Sequence, residues 1–152
     1  MTNFYDILDK LKEELRLSPS VNTVTFGDIT EIDLDKTSMF PLSHIIMDSV
    51  QHRGQTMIFN IKILFSDVVD YNKDVTEFDD FYGNNNLHDI FNTQLQVANN
   101  LISRLKRGDL FASKYQLDGE PTLEPFKERF SNELAGWTTD ISIVVPNTSS
   151  IC

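Results

Sequence analysis

The side chains with the means to do chemistry in this sequence are three histidines, one dense run of carboxylates, scattered serines and a single cysteine. His44 falls in an apolar, strand-like stretch. His52 lies in the polar segment after it, near Asp48 and Arg53, and His88 is far downstream. A metal centre needs three or four converging ligands with polar partners behind them. No helical pairing of the HxxxH kind joins these histidines, so they are expected to be structural or surface groups, with no metal. Asp67, Asp70, Asp74, Glu77, Asp79 and Asp80 supply enough oxygen for a Ca²⁺ loop. Such a loop alternates its ligands around a central glycine and closes on a glutamate, whereas Gly83 follows the acids here. The run therefore reads as a solvated or interface-facing loop.

Nucleophilic chemistry has no better anchor. No GxSxG elbow is present to activate a serine. The glycines at 27, 54, 83, 108, 119 and 136 stand alone, so none builds a phosphate-cradling loop. The basic group in "RLKRGD" is expected to serve a helix end, and Trp137, alternating with Thr139 and Ile141, to be a core aromatic. The only cysteine is Cys152, which excludes an internal disulfide and a thiolate metal site and fits a reducing compartment. These residues predict no catalytic site, no cofactor and no enzyme.

The 152 residues predict one domain, 1–152, large enough for a single core. Hydrophobic residues make up 40% and charged residues 24%, which marks a globular chain, and eleven phenylalanines offer large apolar groups for a core or an interface. A net charge of −10 has the wrong sign for non-specific binding to a phosphate backbone or an anionic membrane. No apolar run approaches the roughly 20 residues that span a bilayer. The start, "MTNFYDILDKLKEEL", lacks the basic-then-apolar layout of a signal peptide, so synthesis in the cytoplasm is expected.

The elements that must position these groups follow from periodicity. Phe4, Ile7, Leu8, Leu11 and Leu15 recur at helical spacing over residues 3–17, and "SPS" at 18–20 stops the helix. Residues 21–35 alternate as a strand leading into a polar connection. "LSHIIMDSV" and "TMIFNIKILFSDVV" form a hairpin across "QHRGQ", with Gly54 in the turn. Met57, Phe59, Ile61, Ile63 and Phe65 then share one face of the second strand. A second amphipathic helix begins at Leu87 and stops at Gly108. "TLEPFKERF" and "GWTTDISIVVP" follow as strands joined by "SNELAG", the last with Trp137, Thr139, Ile141, Ile143 and Val145 on one face. The expected fold is α+β, a mainly antiparallel four- to five-stranded sheet with two helices packed on one face. Residues 66–86 carry Val68, Val69, Tyr71, Phe78, Phe81 and Tyr82, too apolar for a linker, and these six are the candidate subunit or partner interface.

This order of elements, with "FPLSHIIMDSV", "MIFNIKILFSD", "ANNLISRL" and "LAGWTTDISIVVPN", resembles the tail-terminator and tail-completion proteins of tailed bacteriophages and the related neck and ring proteins of the head-to-tail connector. With the first helix these segments span nearly the whole chain. The resemblance implies a structural virion protein: a homo-oligomeric ring, a hexamer or a multiple of one. It would be assembled in the host cytoplasm, joined to tail-tube and neck proteins, with DNA passing its lumen unbound and no membrane involved. The long acidic loop and the Asn- and Gln-rich "FNTQLQVANN" leave tail terminator, neck ring and another ring layer all open. Two other readings stand beside it: a small cytosolic ligand-binding module without catalytic activity, and a metal-dependent hydrolase built on the Asp-rich loop.

Overall fold

The computed structural model describes residues 3–27, 41–68, 87–106, 116–129 and 133–146. Helix α1 (Asn3–Arg16) is followed by strands β1 (Thr23–Phe26), β2 (Leu42–His52) and β3 (Thr56–Val68). Helix α2 (Leu87–Lys106) then precedes β4 (Gln116–Asp118), β5 (Leu123–Arg129) and β6 (Glu133–Pro146). All six described strands form one sheet in the order β1-β2-β3-β6, with β4 and β5 both paired to β6. The α+β expectation holds, but the sheet is larger and more mixed than four to five antiparallel strands.

Two local reasons account for the difference. β1 runs parallel to β2, with Thr23 opposite Leu42 and Phe26 opposite Ile45, a pairing that needs a crossover and is invisible to strand periodicity. β4 has only three residues, too few to show alternation. Because β3 lies along β6 from Val68–Leu134 to Thr56–Pro146, β4 and β5 occupy the other edge of β6 in succession. They act as one edge strand interrupted at "GEPT", where Gly119 takes a φ of 72°. Pro125 in β5 suits an edge, since it has no N–H to give a further strand.

The hairpin has the predicted site but a tighter turn. Gln51 and His52 belong to β2, the Arg53 N–H donates to the Thr56 carbonyl, and Gly54 supplies the left-handed residue at φ 73°. "ELAG" is also strand, not connection, because β6 begins at Glu133. Gly136 is needed there. A Cβ added to it would lie 1.7 Å from the Phe65 carbonyl oxygen, so β3 and β6 approach more closely than any side chain allows.

Both helices pack on one face of the sheet, as expected. Ile7, Leu11 and Leu15 of α1 meet Val97, Ala98, Leu101 and Leu105 of α2 over Ile45, the odd-numbered residues Phe59 to Phe65, and Ile141, Ile143 and Val145. Each of these side chains except the small Ala98, once buried, contributes roughly 1.5–3 kcal/mol. Phe4 departs from this stripe. It is 37% exposed and contacts Tyr5 and Phe26 instead of the core. Ile32, Leu34 and the predicted helix stop at Gly108 lie outside the described residues.

The other face of the sheet is partly polar. Ser142 Oγ donates to Asn60 Oδ1 at 2.7 Å and Asn60 Nδ2 to Ser49 Oγ at 3.0 Å, a ladder across three strands. At one end of that face, Leu42 and Leu134 form a small apolar cluster with Val68 and Phe126.

Candidate functional site

His44 sits within the parallel pair, opposite Thr25, and is almost fully buried. Its Nε2 lies 3.0 Å from the Gly27 carbonyl oxygen and its Nδ1 2.7 Å from Thr25 Oγ1. A carbonyl only accepts, so the proton belongs on Nε2, and in the neutral ring Nδ1 accepts from the threonine hydroxyl. Both ring nitrogens are thus spent on tying β2 to β1. His52, expected in the turn, is instead the last residue of β2, and its Nδ1 accepts from the Gly54 N–H at 3.3 Å. Among the described residues, no three His, Cys, Asp or Glu side chains converge on one point, and no helix is long and apolar enough to cross a membrane.

The basic end of α2 is drawn into packing. Arg104 Nη1 reaches both the main-chain oxygen and the Oε2 of Glu14, each at 3.3 Å. A guanidinium is well placed there, because the last carbonyls of α1 carry the negative end of its dipole. Arg104 therefore caps the neighbouring helix, not its own. Trp137 is half-buried beneath the start of α2. Its Nε1–H donates to the Phe91 carbonyl at 2.8 Å, and the two rings meet edge to face at 5.8 Å.

Two buried polar groups are unusual. Gln94 is 1% exposed, on the core side of α2. Neither its Oε1 nor its Nε2 has a hydrogen-bond partner among the described residues, and the same holds for Ser43 Oγ. Asp67, near the end of β3, accepts from the Val68 N–H at 2.8 Å. Burial pushes its carboxyl above the ordinary value of 3.8, and the Val68 hydrogen bond opposes that rise.

Of the six predicted interface residues, Val68 alone is described. It packs with Leu42, Leu134 and Phe126 of its own chain. Val69, Tyr71, Phe78, Phe81 and Tyr82, like the acids from Asp70 to Asp80, lie outside the described residues.

Two surface features escaped the sequence reading. The first is a group of exposed aromatics at the β1 edge: Phe4, Tyr5 and Phe26, at 37%, 71% and 45% exposure. Phe4 lies edge to face with both of the others, at 5.7 and 6.0 Å. The second is a hollow of about 350 Å³ between α2 and β5, lined by Asn92, Leu95, Gln96, Asn99 and Leu123. The signal for the second was present in the sequence: α2 carries no charge from Ile90 through Ser103.

Compared with known proteins, the chain matches no family model and no curated protein at a significant level.

Proposed function

We propose that this chain is a structural virion protein that forms a ring at the head–tail junction or at the end of the tail tube. There it completes the tail and joins it to the neck or connector. The observation that carries this reading is the spatial adjacency of the four segments on which the resemblance rests. "FPLSHIIMDSV", "MIFNIKILFSD" and "LAGWTTDISIVVPN" supply β2, β3 and β6, three neighbouring strands. "ANNLISRL" supplies part of the face of α2 that packs on them, with Ala98, Leu101 and Leu105. The polar side chains weighed for chemistry at His44, Arg104 and Trp137 are spent on joining elements, which suits a scaffold. A net charge of −10 also suits a lumen through which DNA slides without sticking.

The ligand-binding alternative has one observation in its favour, the hollow beside Leu95 and Leu123. Between the helices and the sheet, the described side chains pack into one core, so among the described residues that surface site is where this reading would place a ligand.

Immunogold labelling of intact virions of the source phage, with an antibody to this chain, tests the ring reading. Gold at the junction of head and tail is the expected result. Virions without label, and without its peptides by mass spectrometry, would overturn it and promote the ligand-binding module.

A further inference from the structure

We propose that copies of this chain join head to tail, the aromatic group of Phe4, Tyr5 and Phe26 in one copy seating in the α2–β5 hollow of the next. The proposal rests on the ring reading for its setting and supplies that reading with its contact surfaces.

Position comes first. Among the described strands, β1 is one edge of the sheet and β5 lies along the other. The aromatic group stands at the first edge and the hollow at the second. A contact between them uses two different surfaces and leaves one of each free on every pair. Heterologous contacts of this kind continue into rings when the rotation between copies closes.

Shape and chemistry agree. Phe4 holds Tyr5 and Phe26 in edge-to-face contact, so the aromatics form a supported projection although each is exposed. The hollow is lined by two leucines, Leu95 and Leu123, and three carboxamides, Asn92, Gln96 and Asn99. Its volume is about 350 Å³. Exposed apolar groups opposite an apolar hollow are the usual components of an interface core.

Charge selects the occupant. Two copies of a chain at −10 repel wherever acids meet. Pairing the aromatic group with itself would bring the exposed Asp6 and Asp9 of both copies together. Seating it in the hollow places those acids near carboxamides, which can donate hydrogen bonds and carry no charge. The uncharged stretch of α2 therefore offers a second copy of this acidic chain a helix face that carries no like charge.

Sedimentation velocity on the full chain over a concentration series tests the proposal. One variant blocks the hollow, Leu95→Glu. A second removes the projection, Tyr5→Ser with Phe26→Ser. All three positions are exposed, and thermal unfolding by circular dichroism checks that each variant folds; Gln96→Glu and Tyr5→Ser alone are the milder substitutes. Wild type is expected to associate with rising concentration, and each variant at least about tenfold more weakly. Mixing the two variants should restore dimers and nothing larger, since one intact projection then meets one intact hollow. Three results would each overturn the proposal: association unchanged in both variants, a mixture that restores nothing, or wild type monomeric to about 1 mM. None of these would move gold away from the head–tail junction, so the contact and the ring reading fail separately.

Discussion

The two helices bury the same kind of surface and expose opposite kinds. α1 turns Ile7, Leu11 and Leu15 inward, and α2 turns Val97, Leu101 and Leu105 inward, onto one shared core. Outward, α1 shows Asp6, Asp9, Lys12, Glu13 and Arg16, the charged face of an ordinary surface helix. The outward side of α2 shows Asn92, Leu95, Gln96, Asn99 and Asn100, and its charges lie only near its ends, at Asp89, Arg104 and Lys106. Core packing dictates an inner face and leaves the outer one free. An outer face without charge, on a chain this acidic, is not dictated by the core, and it is the face on which the contact proposed above is placed.

The largest expected effect strikes the platform under α2. Gly136→Ala forces a Cβ into the Phe65 carbonyl and should cost about 3 kcal/mol or more, since backbone cannot move aside as a side chain can. Denaturant unfolding checks it, and a loss below 1 kcal/mol, on the order of an ordinary surface change, would show that β3 and β6 separate readily. Next, the inner faces should prove equivalent. Leu11→Ala and Leu101→Ala are each expected to lose about 2–5 kcal/mol in the same assay, and a near-silent Leu11→Ala would mean that α1 is not part of the shared core.

Gln94 is where the inner face of α2 breaks its own pattern. With both amide atoms buried and unpartnered among the described residues, Gln94→Leu should raise stability by about 1–2 kcal/mol. A loss instead would reveal a bound water or partner and sharpen the contrast between the helices. The smallest expected effect belongs to Asp67. Because burial raises its carboxyl above 3.8, the folded chain keeps that proton to higher pH than the unfolded chain does. Its contribution to stability is thus present below pH 3.8 and is lost as the pH rises through the folded value. Asp67→Asn should therefore raise the unfolding midpoint slightly at pH 7, with the gain fading toward pH 3.8; a gain independent of pH would assign it to another cause.

Legibility in the sequence followed the length over which each feature is encoded. The inner stripe of α2 and the alternation from Met57 to Phe65 were readable because a helix or strand repeats its inward positions within a few residues. Phe4 obeyed the same spacing and was still misplaced. Helical period assigns a side, but whether the first turn reaches the core depends on where the helix sits over the sheet. β4 was missed because three residues carry no period, and "ELAG" was misread because Gly136 looks like a turn residue when its true cause is a neighbouring backbone. The hollow was half legible, its uncharged helix face plain in "FNTQLQVANN" and its second wall, Leu123, not.

By itself, then, the sequence determined two amphipathic helices, a Gly54 hairpin, a long last strand and an acidic chain with one helix uncharged over its middle, all properties written in neighbouring residues. Only the tertiary structure decided that β1 runs parallel to β2, that His44 locks the pair, and that β4 and β5 share one edge of β6. It also set the exposed aromatics and the hollow at opposite edges of the sheet. The physical reason is that periodicity tells each element which side to bury but not which partner to bury it against. That choice is made by pairing and close approach between segments far apart in the chain.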